Sequence, residues 1–329
     1  MIFRATSDLH LKEGNADFVF NALDQLHQDA AVHGGTTFLL GDIFDQAVTM
    51  HMPTFNRLFV RLYTWQGQVI VIAGNHDQYD GAYSCLRTLH AGSCRVVLVP
   101  EFDRAYGALL PYQPLHEYRE TIKGIDKSVR TVWTHIGVKG AYRNAMQKDR
   151  DGLGANEIPD RWVITGHYHL PQVAGRVIYT GSPFEHSFSE EGQRKGWLRW
   201  TEPDTMPTRI EFSDTGAPKH VTIGWDPSAG GVDSSIAFDR SRDKIRVRTL
   251  APRSVAKQRI KQLADAGLTG VPVLAPADEG VGRGIVNEGA SPREAVEQYV
   301  RSVYGSDLNL PTPSEMMEWA TTWNLLAVV

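Results

Sequence analysis

The chain is poor in cysteine, in long apolar runs and in surplus positive charge, and each shortage removes a class of protein. Two cysteines in 329 residues, Cys85 and Cys94, cannot build a disulfide framework, and no CxxC pair is present to start a thiolate zinc site. A reducing, cytoplasmic setting is therefore expected. The longest apolar stretches, Val69–Ala73 and Val96–Pro100, are far shorter than a bilayer span, so no membrane role is expected. Met1–Arg4 leads into a strand-like pattern rather than an apolar leader, so no signal peptide is expected either. Lys and Arg number 34 against 38 Asp and Glu, a net charge of −4, which excludes binding through a large cationic surface. No internal repeat or low-complexity tract occurs. What remains is ordinary for a globular chain, at 42% hydrophobic and 22% charged residues. One count stands out, the 12 histidines.

The first two hundred residues alternate short β-branched runs with amphipathic stretches, the pattern of an α/β layered domain. Strands are expected at Ile2–Thr6, Thr36–Leu40, Gln68–Ala73, Arg95–Val99, Arg130–Thr134, Arg161–Thr165 and Arg176–Tyr179. Helices are expected at Ala16–Ala31, where Phe18, Ala22, Leu23, Leu26 and Ala30 share a face, and at Pro53–Trp65, which opens on proline. Beyond a polar linker at Thr201–Thr208 come strand patterns at Arg209–Phe212, Val221–Gly224, Lys244–Leu250 and Val271–Leu274, with a helix at Ser254–Ala266. Glycine-rich Pro276–Ser291 reads as a second linker. Two short helices, Pro292–Tyr304 and Ser314–Asn324, close the chain. Three regions result: a chemistry-bearing domain over 1–200, a small α+β cap over 205–275, and a helical tail over 290–329.

Five polar motifs fall at the carboxyl ends of the expected strands, where α/β sheets build ligand sites. They are Asp8-Leu9-His10, Gly41-Asp42-Ile43-Phe44-Asp45, Gly74-Asn75-His76-Asp77, His135, and Gly166-His167-Tyr168-His169. Residues two apart on an extended chain point the same way, so Asp8 with His10, and His167 with His169, are expected to converge in pairs. The glycines suit sharp turns or close backbone approach. Asp, His and Asn without thiolate suit Mn²⁺, Fe²⁺ or Zn²⁺ in an open catalytic site. Seven such side chains exceed one tetrahedral ion but suit two ions sharing a carboxylate, a device for phosphoryl chemistry. A single such histidine is usually unremarkable; the set in this order is not. The remaining histidines, His27, His33, His51, His90, His116, His186 and His220, are assigned to the surface.

These five motifs resemble the signature blocks of the calcineurin-like metallophosphoesterases over the first ~190 residues. The resemblance implies a four-layer αββα sandwich and two divalent ions, Mn²⁺ first, with Mg²⁺ or Fe²⁺ as alternatives. It implies that Asp8, His10, Asp42 and His169 hold one ion, that Asp42 bridges, and that Asn75, His135 and His167 hold the other. His76 is then no ligand but faces the phosphate and protonates the leaving oxygen, an imidazole being suited to proton transfer near neutrality. Asp45 or Asp77 is expected to orient it. Thr134 stands where the family usually has glycine before His135.

A narrower resemblance lies in Tyr179-Thr180-Gly181-Ser182-Pro183-Phe184-Glu185, Ser187-Phe188-Ser189-Glu190 and Lys195-Gly196-Trp197. These are similar to the block that follows the last metal histidines in the SbcD family of DNA repair nucleases, most of all its phage-type members. Leu110-Pro111-Tyr112 and Asp243–Arg248 resemble further pieces. This implies a Mn²⁺-dependent 3′→5′ double-strand exonuclease and single-strand endonuclease acting on DNA. It also implies an SbcC-like ATPase partner docked on the C-terminal helices, with Val296, Tyr299, Val300 and Val303 forming a stripe, and a homodimer through Pro53–Trp65 and Tyr83–Leu89. The alternatives are a small-molecule phosphodiesterase acting on a nucleotide or lipid head group, and a scaffold that has lost its chemistry. The scaffold is disfavoured because every ligand and His76 are present. The basic loop residues Arg143, Lys148 and Arg150 are expected to favour DNA over a small ester by meeting phosphates.

Overall fold

The computed structural model describes residues 1–80, 83–144, 147–201, 210–226, 231–232, 238–239, 241–251, 258, 261 and 269–274. Two six-stranded sheets carry the first unit. Strands β1 (Ile2–Thr6), β2 (Thr36–Leu40), β3 (Gln68–Ile72) and β4 (Cys94–Val97) run parallel. The hairpin strands β5 (Glu101–Asp103) and β6 (Gly107–Leu110) lead into β7 (Thr131–His135) and β8 (Trp162–Gly166). After these come β9 (Gln172–Ala174), β10 (Val177–Tyr179), β11 (Gly196–Thr201) and β12 (Ile210–Asp214). One sheet has the order β12-β11-β1-β2-β3-β4 and the other β9-β10-β8-β7-β6-β5. Each therefore has four parallel strands at its heart, with antiparallel strands only toward the edges.

The alternation within each strand divides its side chains between two cores. On β3, Val69 and Val71 join the core under the helices α1 (Ala16–His33) and α2 (Met52–Tyr63). On the other sheet, Val132 and Val163 pack with Tyr118 of α3 (Leu115–Lys123). Between the sheets lies an aromatic layer, in which Phe38 stacks on Trp133 at 3.5 Å and Trp133 on Trp200 at 5.7 Å. Phe3 meets Phe38 and Trp133 edge-on, arrangements each worth ~0.5–1.5 kcal/mol beyond simple burial. The layers thus run helix, sheet, sheet, helix, the αββα sandwich expected.

The expected strands and the first two helices appear within a residue or two of their sequence positions. α1 ends at Gly34, whose φ of 64° is glycine's province. The β5–β6 hairpin and α3 were not anticipated. The hairpin strands are only three and four residues long and α3 is largely polar, so pairing within the second sheet and packing against it give them their form. A second compact unit, Ile223–Ile236 with Arg246–Val329, carries most of a four-stranded sheet whose strands are His220–Asp226, Gly231–Val232, Lys244–Ala251 and Thr269–Leu274. Of the helix expected at Ser254–Ala266, only Gln258 and Lys261 are described, both helical. The linkers at Thr201–Thr208 and Pro276–Ser291 and the helices at Pro292–Tyr304 and Ser314–Asn324 lie outside the described residues, apart from Thr201 at the end of β11. No helix among the described residues is long and apolar enough to cross a membrane.

Candidate metal centre

All five motifs meet where the carboxyl ends of the two sets of parallel strands come together. Asp8 follows β1, Asp42 follows β2, Asn75 and His76 follow β3, His135 ends β7 and His167 follows β8. Backbone bonds lock the first two loops side by side: Asp8 donates its N–H to Gly41 O at 3.0 Å and His10 to Asp42 O at 2.9 Å. The two sheets are tied at the same point by His135, whose Nδ1 donates to Leu40 O at 2.7 Å. There is no room for side chains in this seam. A Cβ on Gly41 would lie 2.2 Å from His135 Nδ1, and one on Gly74 2.2 Å from Asp42 Oδ1.

Pairwise convergence does not arise from extended alternation. Asp8 (φ 53°), His10 (φ 43°), Asp42 (φ 52°) and His167 (φ 87°) are the described non-glycine residues with positive φ. The left-handed conformation costs such residues about 1–3 kcal/mol each and persists only where the surroundings impose it. It turns each ligand off its strand end. In consequence His167 and His169 part company, instead of pointing to one spot. His167 Nδ1 lies 3.1 Å from Asn75 Oδ1, whereas His169 Nε2 lies 3.2 Å from His10 Nε2.

Two donor groups result, with Asp8 common to both and Asp42 Oδ2 standing between them, 3.3 Å from His135 Nε2 and 3.8 Å from His10 Nε2. Asp8, His10 and His169 bring one ligand atom each within 4.8 Å of one another, and so do Asp8, Asp42 and His135. Asn75 Oδ1 adds to the second side at 3.2 Å from His135 Nε2, which also lies 3.3 Å from Asp42 Oδ2. His10, Asp42 and His76 form a further such group. The Thr134 departure leaves His135 in place: Thr134 is buried and its hydroxyl accepts from Tyr118.

The chemistry of these atoms calls for cations. His135 spends its Nδ1 proton on Leu40 O, so in the neutral ring its Nε2 lone pair faces two oxygens, which only a proton or a metal can reconcile. Burial disfavours a charged His135, but Asp42 outweighs it and pushes the pKa up to about 9. Burial opposes ionisation of Asp42 too, yet His135 and His10 hold its carboxyl well below the usual range. Burial pushes His167 down to about 4, helped by the charge at His135, and burial likewise lowers His10. The residues present fit divalent cations: Asp8, His10 and His169, with Asp42 beside them, could hold one, and Asp42, His135 and Asp8, with Asn75 and His167, another.

A pH dependence follows from His135. A ligating imidazole must be neutral, so a metal has to displace the proton that His135 keeps below about pH 9. Mn²⁺ affinity is therefore expected to climb by about tenfold per pH unit from neutrality and to level off near pH 9. Calorimetry in buffers of different ionisation enthalpy should register the proton released. Affinity that stays flat between roughly pH 6 and 8 would contradict this account.

His76 stands exposed at the mouth of the site. Its Nδ1 donates to the backbone O of Asp45 at 2.9 Å, and its own N–H donates to Asp42 Oδ1 at 2.9 Å. Neither carboxylate expected to orient it does so. Asp45 instead accepts from Lys12 at 2.9 Å and lies 3.9 Å from His10 Nδ1. Asp77 is fully buried and accepts the N–H groups of Ile43, Phe44 and Gly74, bracing the loops that carry Asp42 and Asn75. Burial, with Asp42 nearby, pushes its pKa up to about 7.

Three histidines assigned to the surface are wholly or partly covered, among them His27, which is half-buried and stacks on Trp65 at 5.0 Å. His220 is buried against Glu185, its N–H donating to Oε2. His186 packs its ring 5.0 Å from His10 and 4.6 Å from His169 and donates Nε2–H to Asp8 O at 2.9 Å. A one-residue offset from Glu185 gave no sequence signal for this, because the contacts are made across the fold. His33, His51, His90 and His116 are exposed as expected. The basic loop is also less free than expected. Arg143 pairs with Asp149 at 2.9 Å, and Lys148 lies over the Tyr142 ring, leaving Arg150 exposed.

Two parallel-stranded sheets with a shared-carboxylate donor cluster at their seam define a metal-dependent hydrolase site of the phosphoryl-transfer kind. The chain belongs to the calcineurin-like phosphoesterase family, whose model matches residues 1–243. No curated protein matches it. Among solved structures, it is similar to YfcE, described as a phosphoesterase from E. coli, at 14% identity, 64% of this chain and 99% of that one, with a TM-score of 0.34.

Proposed function

We propose that the chain hydrolyses phosphodiester bonds in DNA, as the nuclease subunit of an SbcCD-type end-processing complex, with Mn²⁺ in the site. The observation that carries the hydrolytic reading is the adjoining donor groups built from Asp8, His10, Asp42, His135 and His169, with His76 exposed at their mouth. Bound there, two divalent ions would supply an activated water and neutralise charge on a phosphate held for in-line attack. The chain's own part is proton handling and positioning. Asp45 O fixes the Nδ1–H of His76, so the ring can present only Nε2 to an incoming ester. The imidazolium form gives that Nε2 proton to the departing oxygen, which would otherwise leave as an unstabilised alkoxide.

DNA as substrate is supported by the Gly181–Glu190 block and its likeness to the SbcD nucleases. A homodimer is supported by Met52, Val60 and Tyr63, exposed on α2; Leu86 and Leu89 of the neighbouring segment are buried and unavailable to it. The ATPase partner rests on the sequence of the C-terminal helices alone. The small-molecule reading keeps its place because Arg143 and Lys148 are engaged within the protein, which removes part of the cationic surface that DNA would use.

The deciding experiment incubates the full chain and Mn²⁺ with end-labelled linear duplex DNA and, in parallel, with bis(p-nitrophenyl) phosphate. Shortening of the duplex from its 3′ ends, abolished by a chelator, is the expected result. Turnover of the small ester without any cut in DNA, even with an SbcC-type ATPase added, would select the alternative.

A further inference from the structure

The block that follows the last histidine motif does something more specific than pack a strand. Glu190 sits at the end of a single 3₁₀ turn, Phe188–Glu190, opened by Ser187. Its Oε1 accepts from His169 Nδ1 at 2.7 Å, while its Oε2 accepts from Lys195 Nζ at 2.8 Å and from the His186 N–H at 3.0 Å. Lys195 is itself buried, and its remaining protons go to His169 O and Ser182 Oγ, both at 2.9 Å. His186 completes the arrangement by donating to Asp8 O, the carbonyl of a residue held at positive φ. Two of the four ligands assigned to one ion, Asp8 and His169, are thereby gripped directly, and the ring of a third, His10, is packed against His186. Among the described residues, no carboxylate accepts from a ring nitrogen of His135 or His167 in the way Glu190 accepts from His169. On that side His135 donates to a neutral backbone carbonyl, and Asn75 offers an amide.

We propose that Glu190, Lys195 and His186 are positioning residues that make the Asp8–His10–His169 side the tighter of the two metal positions, so that the centre fills stepwise. A carboxylate behind a ligating imidazole fixes its tautomer and raises its basicity, and loss of such a partner weakens metal binding by about 10–100-fold. Lys195 keeps that carboxylate ionised without competing for the ring, because its own donors are all engaged. This inference rests on the two-metal reading above and goes beyond it in assigning an order.

Chelator-stripped full-length protein is titrated with Mn²⁺ by calorimetry, with electron paramagnetic resonance at one equivalent to count free ion. Two classes of site are expected in the native chain. Glu190→Gln should weaken the tight class by about 10–100-fold and leave the weak class in place. His186→Leu should act in the same direction, and His186→Gln, which keeps a donor for Asp8 O, should recover most of the loss. Unchanged first-ion affinity in Glu190→Gln, or an equal loss in both classes, overturns the proposal. If Glu190→Gln fails to fold by circular dichroism, the His186 pair decides, and equal first-ion affinity in Leu and Gln variants overturns it. A native chain that takes up no Mn²⁺ would instead sink the two-metal reading, a different failure from either.

Discussion

Asp42→Ala is expected to abolish hydrolysis and to leave the chain unable to hold two ions at once. The carboxylate shares one donor group with Asp8 and His135 and another with His10 and His76, stands 3.3 Å from His135 Nε2 and 3.8 Å from His10 Nε2, and accepts the His76 N–H. Its removal takes away one of the two carboxylates, Asp8 being the other, that face the imidazoles of the site, so cations on either side lose counter-charge. Metal analysis after dialysis should show at most one ion per chain, and phosphodiesterase activity should fall to background. Two tightly held ions in the variant would show that Asp42 does not bridge. The fold itself should survive, since the residue sits at a loop in the left-handed region and contributes to no apolar core.

His76→Ala is the complementary case, with full metal content and little turnover. The ring is exposed, hydrogen-bonded to Asp45 O and set edge-on against His10 at 4.7 Å, so its loss removes no hydrogen bond from the buried donors. What disappears is the proton for the departing oxygen, a contribution of about 10²–10⁴-fold in rate. The loss should shrink for esters whose leaving group needs no proton, such as p-nitrophenolate, and be largest for an alkoxide. His10, Asp42 and His76 also lie close enough together to hold an ion. Metal analysis separates the roles: a variant that loses an ion makes His76 a ligand and not an acid.

Much of this was legible in the sequence because it is local. A β-branched run such as Gln68–Ile72 followed by Gly74-Asn75-His76 announces both the strand and the loop that carries chemistry. Proline at the start of α2 and the apolar stripe of α1 needed no tertiary information. Other features depend on partners distant in sequence. Glu190 and Lys195 look like surface charges until β11 brings them under His169, and His186 has no neighbour in sequence that explains its burial. Asp45 does orient His76, but through its backbone carbonyl and not its carboxylate, and Asp77 does not, for a related reason. Spacing shows which side chains are near, but not that Asp77 is claimed by three backbone N–H groups. The segment beyond Leu274 lies outside the described residues, so the docking helices stand on their sequence alone.

The four left-handed ligands carry a consequence for the history of such chains. Asp8, His10, Asp42 and His167 hold conformations that glycine would adopt freely, so each is a point where the chain is less stable than its fold allows. While the reaction is under selection, that tension stays. Once selection lapses, replacement by glycine at any of the four relieves strain at once, so a lineage that abandons catalysis should drift toward a sturdier protein. An idle descendant would be recognised by glycines where its ancestor had ligands, and by a higher melting temperature.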